Sequence, residues 1–254
     1  MPIIESTILN KYKADLHNHS VLSPCGDLDM SPSRIIAEAK SKRIDIIGIS
    51  DHNSTLHCKL MVELGKEEGI FVLPGVEVNT REEIHCLAFF ENLELVKEFQ
   101  DFLNDHLPQI QNVSSMFGEQ LIVDRNENII YEQEYLLVSA LDADIYTVSD
   151  KVKSLGGLFI PAHIDRPYNS IISQLGFIPD DLKIDALEIS PRYLVSVYRQ
   201  HHPEFNNVTL ITNSDAHQPE AMGRATSIFE IKEPSFAEIT LALKGLEGRK
   251  IYTA

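Results

Sequence analysis

Short apolar segments typical of β-strands recur along this chain, and most of them are separated by segments with helical periodicity. The segment at residues 44–50 (IDIIGIS) is almost continuously apolar, as expected of a parallel strand that is buried on both faces. Between it and an earlier strand-like segment at 13–19, Ser31 and Pro32 are typical of the N-cap and first residue of a helix. This alternation predicts an α/β fold.

The number of strand-like segments indicates how the sheet closes. We predict strands at residues 13–19, 44–50, 70–78, 84–90, 157–163, 184–190, 208–213 and 226–231. The third and fourth follow each other so closely that we expect a hairpin. About eight strands with helices between them favour a barrel over an open sheet.

The segment at about residues 91–145 differs from its surroundings, because it is polar, reads as helical and contains no chemical motif. We therefore predict one barrel domain over residues 1–254 with a helical insertion at about 91–145. The insertion is either a lid or specificity subdomain over the barrel mouth or a passive decoration.

The composition is that of a soluble globular protein, since 43% of the 254 residues are hydrophobic and 24% are charged. No apolar run approaches the ~20 residues that span a bilayer, and the first residues lack the pattern of a secretory signal. The three cysteines (Cys25, Cys58 and Cys86) match no disulfide framework. We predict a reduced, cytoplasmic protein that does not bind membranes.

The formal net charge of −16 argues against general nucleic-acid binding, which depends on clustered Lys and Arg. It does not exclude a small phosphorylated substrate, because divalent metals reverse the local sign of charge at a site. Charge therefore limits the possible partners but does not choose the chemistry.

Histidines and carboxylates recur at the ends of the predicted strands. Six of the ten histidines and two carboxylates are placed in this way: His17, His19, His52, Glu77, His85, His163, Asp215 and His217. Strand ends converge on one face of a barrel, so these side chains are expected to meet there. Imidazole and carboxylate together suit Zn, Mn and Fe. The other four histidines (His57, His106, His201 and His202) are interpreted as structural.

The run DLHNHSVLSPCGDLDMSP, followed in order by GISDHNS, GVEV, IHCLAFF, PAHIDRP and NSDAH, resembles the PHP family, named for polymerase and histidinol phosphatase. The resemblance extends from residue 17 to residue 217. It implies a distorted (β/α)7 TIM-like barrel with up to three metal ions at its mouth. The SPCGD loop and the short spacing from GISDHNS to GVEV are more similar to the stand-alone phosphoesterase branch than to histidinol phosphatases.

The resemblance also implies how the ligands are shared among the metals. The residues implied for the first metal are His17, His19, Glu77 and Asp215. Glu77 would bridge to a second metal, whose other ligands are His85 and His163, and a third metal would be bound by His52 and His217.

The third site departs from the common family pattern, which has another His or an Asp soon after the H-x-H pair. Here the loop offers Cys25 or Asp27. Position favours Cys25, and a thiolate is a good zinc ligand, whereas a carboxylate is more natural for manganese. Cys25 is alternatively a small buried residue of a tight loop, so both ligand assignments remain open.

The implied activity is hydrolysis of a small phosphomonoester or a nucleotide-like phosphoester with two to three divalent ions (Mn, Fe or Zn). Our hypothesis is that hydroxide activated at the di- or trinuclear site attacks phosphorus, with Glu77, Asp215 and His217 as catalytic residues. Two alternatives remain: a metal-dependent amide or lactone hydrolase of similar barrel type, and a non-catalytic, metal-bound PHP module that supports a partner.

Three arginines are candidates for binding the phosphate, since a guanidinium binds phosphate oxygens in a bidentate manner. They are Arg166 and Arg192, which follow predicted strands, and Arg224, a weaker candidate. Two carboxylates beside the ligands, Asp15 and Asp51, are expected to orient imidazoles rather than bind metal.

Overall fold

The structure is a computed structural model in which residues 8–253 are described. Its strands are β1 (Asn10–Asp15), β2 (Ile46–Ile49), β3 (Phe71–Asn79), β4 (His85–Phe89), β5 (Leu121–Val123), β6 (Ile129–Glu132), β7 (Leu158–Pro161), β8 (Leu187–Ile189), β9 (Leu210–Thr212), β10 (Ser227–Ile231) and β11 (Lys250–Thr253). Its α-helices are α1 (Pro32–Ser41), α2 (Cys58–Glu68), α3 (Leu93–His106), α4 (Ser114–Phe117), α5 (Ile145–Ser154), α6 (Ile171–Leu175), α7 (Val195–His201) and α8 (Phe236–Leu243).

Seven strands form one curled sheet in the order β11-β10-β1-β2-β3-β4-β7. The central pairs β1–β2 and β2–β3 are parallel, whereas β4, β10 and β11 each run antiparallel to their neighbours. A separate parallel pair, β8–β9, contacts β7 on one side and β11 on the other, so it lies across the gap between the sheet edges. This arrangement confirms the prediction of a distorted TIM-like barrel.

The predicted hairpin is confirmed by the antiparallel pairing of β3 with β4. In this register Glu77 faces Leu87, and Asn79 at the end of β3 faces His85 at the start of β4. The amino end of β4 therefore lies at the same sheet edge as the carboxyl end of β3. The hairpin thus places Glu77 and His85 at one mouth of the barrel.

Alternation along the strands divides the core into two layers. Adjacent residues of β2 illustrate it, because Ile46 packs in the cluster inside the curled sheet and Ile47 packs in the cluster beneath the helices. Both are fully buried. A strand with apolar contacts on both faces needs an unbroken apolar sequence, which accounts for the IDIIGIS segment.

Helix ends follow the expected capping chemistry. Ser31 caps α1, since its side chain accepts a hydrogen bond from the N–H of Arg34, and Pro32 is the first helical residue. Helix α8 begins after Ser235, whose side chain accepts a hydrogen bond from the N–H of Glu238. Among the helices of residues 8–253, none combines the length and apolar character needed to cross a bilayer.

The insertion is only partly helical, which corrects the prediction for residues 91–145. After α3 and α4, the chain forms the antiparallel hairpin β5–β6. Its turn is stabilised by Asp124, whose carboxylate accepts hydrogen bonds from the N–H groups of Asn126 and Asn128. The apolar runs on either side of this turn have three residues each and are too short to show a period of two clearly.

The insertion packs against the loop that follows β1. The N–H of Leu121 in β5 donates to the carbonyl oxygen of Val21 at 2.9 Å. A Cβ at Gly118 would lie 1.8 Å from the carbonyl oxygen of Pro24. The insertion therefore lies directly against the segment that carries Cys25.

Gly48 in β2 is required by a close approach of two backbones beside the mouth. A Cβ at this position would lie 2.2 Å from the carbonyl oxygen of Leu16, the residue before His17. No flexible side chain is available there to move away, since the contacting atoms belong to the backbone.

We expect Gly48→Ala to lower the free energy of unfolding by about 2–3 kcal/mol and also to weaken metal binding, because the displaced Leu16 is adjacent to His17. Chemical denaturation and metal titration measure the two effects. Gly156→Ala is the control: Gly156 has φ +70° but, in the described structure, has open space at its Cβ position. It should lose stability without losing metal affinity. Unchanged metal affinity in Gly48→Ala would show that the close approach does not position His17.

Candidate metal centre

The carboxylate of Glu77, near the end of β3, lies at the centre of a cluster of imidazoles. Only 1% of Glu77 is exposed. Nitrogen atoms of five histidines lie 3.0–3.4 Å from its two oxygens. The five are His17, His19, His52, His85 and His163.

These side chains come from different strand ends, as the sequence predicted. The H-x-H pair follows β1, His52 follows β2, and His163 follows β7. The segment after β9 adds Asp215, whose Oδ1 lies 3.3 Å from Nε2 of both histidines of the H-x-H pair. It also adds His217, whose ring stacks on that of His19 with the centroids 4.3 Å apart.

The possible ligand atoms fall into three overlapping groups, within each of which all atoms lie within 4.8 Å of one another. The first group is His17, His19 and Glu77. The second is His52, Glu77 and His85. The third is His19, Cys25, His52 and His217. The overlap means that Glu77, His19 and His52 each belong to two groups.

The structure distinguishes the two candidates for the third group. Cys25 lies near the mouth with its Sγ among the imidazoles. Asp27 is exposed, and its Oδ1 accepts a hydrogen bond from the N–H of Asp29. Among the described residues, Asp27 is in none of the three groups. The geometry therefore favours Cys25.

The hydrogen bonding of the cluster fits bound cations. Nε2 of His17 and Nε2 of His19 lie 3.2 Å apart, and both also lie 3.3 Å from Oδ1 of Asp215, so these ring nitrogens converge on one point. Within the described residues, the buried Nδ1 of His163 has no hydrogen-bond partner, and Nδ1 of His52 lies 3.1 Å from Oε2 of Glu77 without the geometry of a hydrogen bond. A divalent cation accepts the lone pairs of such nitrogens, and Zn, Mn and Fe all bind imidazole with carboxylate.

The electrostatics of the cluster favours an ionised carboxylate at Glu77. Burial alone would raise the pKa of Glu77, but the neighbouring imidazoles hold it well below its ordinary value. Burial would lower the pKa of His17, yet the charges of Glu188, Asp215 and Glu77 raise it well above its ordinary value. Burial lowers the pKa of His52. An ionised carboxylate beside an imidazole that burial keeps neutral, such as that of His52, is suited to binding divalent cations.

Glu188, in the middle of β8, orients two of these histidines and was missed by the sequence analysis. Its oxygens lie 3.0 and 3.1 Å from Nδ1 of His17, and one accepts the backbone N–H of His163 at 2.9 Å. The side chain of Asn213 donates to it at 2.7 Å. The signal in the sequence was a carboxylate between the apolar residues Leu187 and Ile189 of the segment IDALEIS.

Asp51 orients a ligand indirectly. Its Oδ1 accepts hydrogen bonds from the N–H of Ser20 at 2.6 Å and from Oγ of Ser23 at 2.8 Å. Oγ of Ser23 in turn contacts Nδ1 of His19 at 3.1 Å. The other predicted positioning residue, Asp15, instead accepts the N–H groups of Ser214 and Gly223, and so fixes the loop around Asp215.

A buried chain of hydrogen bonds connects the insertion to Asp51. The N–H of Val123 in β5 donates to Nε2 of His57, whose Nδ1 lies 2.7 Å from Oγ of Ser20. That hydroxyl donates to Oδ2 of Asp51 at 2.7 Å. His57 therefore has a structural role, and the other three histidines interpreted as structural (His106, His201 and His202) also lie outside the cluster.

Two cluster residues have left-handed backbone conformations, with φ +31° at His163 and φ +49° at Asp215. Such conformations cost free energy in residues with a Cβ and persist where neighbouring contacts impose them. The contact at His163 is the bond from its N–H to Glu188. Next to Asp215, the N–H of Ala216 donates to the carbonyl oxygen of His17 at 3.2 Å.

The three predicted arginines lie at different distances from the cluster. Arg166 forms an ion pair with Oδ2 of Asp215, and its buried Nε has no partner within the described part of the chain. Arg192 is exposed on the loop after β8. Arg224 donates from Nε to the carbonyl oxygen of Ser214 at 3.0 Å.

Comparison with known proteins identifies the family. The sequence profile of the PHP domain matches residues 15–173, and that of a PHP-associated region matches residues 206–246. The chain belongs to the PHP family. The metal-dependent hydrolase predicted from the sequence agrees with this family match.

Three relatives are informative. YqxK of Bacillus subtilis (strain 168), described as uncharacterized, is 29% identical over 96% of this chain and 64% of its own length. The lesion-specific endonuclease PfuEndoQ from Pyrococcus furiosus shares the fold, with a TM-score of 0.73 and 23% identity over 95% of this chain and 58% of its own. An Endonuclease Q complex has a TM-score of 0.68 and 22% identity, with the same coverage. The PHP chain thus spans less than two thirds of the length of these relatives.

The expectation of no general nucleic-acid binding is contradicted by the comparison with Endonuclease Q. Endonuclease Q, which shares this fold, forms a complex with a 27-mer duplex substrate that has an abasic lesion at the active site. The exclusion rested on the net charge of −16. Net charge sums the whole surface, whereas the local potential that a phosphate meets depends on the charges at the mouth, including those of any cations that the cluster would hold.

We expect Cys25→Ser to lose about one equivalent of bound metal, because a hydroxyl replaces the thiolate as a ligand. Asp27→Asn is the matched control in the same loop and should retain all bound metal. Mass spectrometry of protein purified without chelator measures the metal content. Loss in Asp27→Asn together with full retention in Cys25→Ser would reverse the assignment.

We expect Glu188→Gln to weaken metal binding by about 10- to 100-fold, because a neutral amide no longer holds Nδ1 of His17 as the carboxylate does. Competition with a chelator measures the affinity. The control is Glu132→Gln in the exposed strand β6, which should bind metal like the parent chain. Equal affinities of the two variants would contradict a positioning role for Glu188.

Proposed function

We propose that this PHP chain is a nuclease that uses divalent metal ions to hydrolyse a phosphodiester bond in DNA at a lesion such as an abasic site. The observation that carries the proposal is the convergence of five imidazoles and Asp215 around the buried Glu77 at the barrel mouth. The similarity of fold to Endonuclease Q over 95% of the chain supports DNA as the substrate class.

The three groups of ligand atoms would hold two to three ions of Mn, Fe or Zn. Divalent cations supply Lewis-acid activation of water and neutralise charge on the phosphoryl oxygens. Glu77 would serve two groups at once, because Oε1 faces His17, His85 and His163 while Oε2 faces His19 and His52. The third group would be completed by Cys25 and His217.

Asp215 connects the centre to a candidate phosphate ligand. Its Oδ1 faces His17 and His19, and its Oδ2 holds the guanidinium of Arg166. The ion pair fixes one side of the guanidinium, and the remaining N–H groups are donors for a phosphate oxygen. Arg166 therefore binds the phosphate beside the metal ligands in this proposal.

The other two arginines have different roles in the proposal. Arg192 is exposed on the loop after β8. In the proposal it would contact a phosphate further along the DNA strand. Arg224 is bound to the carbonyl oxygen of Ser214, so it supports the loop that carries Asp215 rather than binding substrate.

His217 is the most accessible histidine of the centre, with 34% of its side chain exposed. Burial, assisted by the charge of His19, lowers its pKa to about 4. Its Nδ1 lies 3.0 Å from the carbonyl oxygen of Asp215, which accepts the proton on that nitrogen. The lone pair on Nε2 is therefore available at neutral pH to bind a cation or accept a proton.

We expect the chain loaded with Mn, Fe or Zn to cleave a labelled duplex at a single abasic site, and a chelator to stop the reaction. Glu77→Gln should abolish cleavage and lower metal content together, because it removes the charge at the centre of the cluster. The control variant Glu132→Gln should cleave at the parent rate. Denaturing gel electrophoresis and mass spectrometry provide the two measurements.

Two results would overturn the proposal. Hydrolysis of small phosphomonoesters without cleavage of any duplex would place the activity on a different substrate class. Full cleavage by Glu77→Gln would show that the cluster around Glu77 is not needed for the reaction.

A further inference from the structure

A cleft of about 710 Å³ lies between the loops that follow β7 and β8. Its volume is within the range typical of small-molecule sites. Its lining combines aliphatic, aromatic and cationic side chains, among them Ile164, Arg166, Pro167, Ile172, Tyr193 and Tyr198.

The cleft adjoins the metal centre. Ile164, which lines it, follows His163 in the chain, and Arg166, which also lines it, is paired with Asp215. A group that reaches into the cleft can therefore remain attached to a phosphate held at the centre.

The two loops are held together and present similar residues. The backbone N–H and Oγ of Ser190 both donate to the carboxylate of Asp165, at 2.7 and 2.5 Å. The first loop contains Arg-Pro-Tyr at 166–168 and the second contains Pro-Arg-Tyr at 191–193. Tyr168 and Tyr193 are 55% and 51% exposed. Each loop thus offers a cation for a phosphate and an aromatic ring for stacking.

Arginine beside exposed aromatic rings is the combination by which proteins bind unpaired nucleotides, since every base has a face that stacks. Tyr193 is well placed for this. Its ring is tilted by 53° against that of Tyr198 at a centroid distance of 6.2 Å, so a neighbour supports it while half of it remains exposed.

We propose that this cleft binds an unpaired nucleobase, which stacks on Tyr193 while its phosphate contacts Arg166. The inference rests on the proposed function. A base within an intact duplex is stacked on both faces, so only a base that has left the helix can occupy the cleft. The cleft thereby selects unpaired nucleotides next to the metal centre.

The first experiment measures binding without cleavage. An oligonucleotide with one 2-aminopurine between abasic spacers, titrated in the presence of a chelator, should lose fluorescence as the base stacks. Tyr193→Ala should weaken the Kd about tenfold or more and reduce the quenching, and Tyr193→Phe should restore both. Tyr131→Ala, at a 46% exposed tyrosine of β6, is the matched control and should behave like the parent chain. Equal Kd and quenching for Tyr193→Ala and Tyr131→Ala would overturn the inference.

The second experiment separates the inference from the proposed function. Duplexes with either an unpaired base or an abasic site at the same position are cleaved by parent and variant chains. Tyr193→Ala should lower the kcat/KM ratio of the first duplex to the second about tenfold, because only the first offers a base to stack. If the enzyme is active and the ratio is unchanged, the inference that the cleft binds an unpaired base is refuted, and the nuclease proposal remains intact. If no chain cleaves either duplex, the nuclease proposal fails and the fluorescence titration alone decides on the cleft.

Discussion

A carboxylate buried as completely as that of Glu77 is stable in its charged form only if surrounding groups compensate for the lost hydration. Imidazoles provide this compensation, and those of His85, His17, His52 and His163 hold the pKa of Glu77 well below its ordinary value. The same crowding leaves the buried Nδ1 of His163 without a hydrogen-bond partner among the described residues. The imidazoles are therefore not all satisfied by protein atoms, and cations would complete the cluster.

The barrel supplies these groups by an irregular route. Strands β1, β2 and β3 are parallel and deliver residues at their carboxyl ends, whereas β4 is antiparallel and delivers His85 at its amino end. A regular (β/α) repeat would require a helix between β3 and β4. The hairpin replaces that helix and keeps Glu77 and His85 in a fixed register. The distortion of the barrel thus contributes directly to the geometry of the centre.

Much of this was predictable from the sequence, because strand ends are local features and convergence follows from barrel topology. The H-x-H pair, His52, Glu77 and His163 needed only strand assignments to be placed together. Other features depend on contacts between distant segments. Glu188 is recognisable as a positioning residue only once β8 lies beside His17. The β5–β6 hairpin was missed since its strands are short. The net charge gave the wrong expectation about nucleic acid because it carries no information about where the charges lie.

The buried chain from Val123 through His57 and Ser20 to Asp51 has a consequence for how this family can diversify. A backbone amide of the insertion determines which nitrogen of His57 carries a proton, and so the direction of each hydrogen bond that follows. Asp51 also accepts a hydrogen bond from the hydroxyl of Ser23, which contacts Nδ1 of His19. If a shorter loop replaced the β5–β6 hairpin, the N–H of Val123 would no longer fix which nitrogen of His57 is protonated. The buried carboxylate of Asp51 would then need a new donor. Exchange of insertions between homologous barrels should succeed only when the residues of this buried chain, His57, Ser20 and Asp51, are exchanged with them.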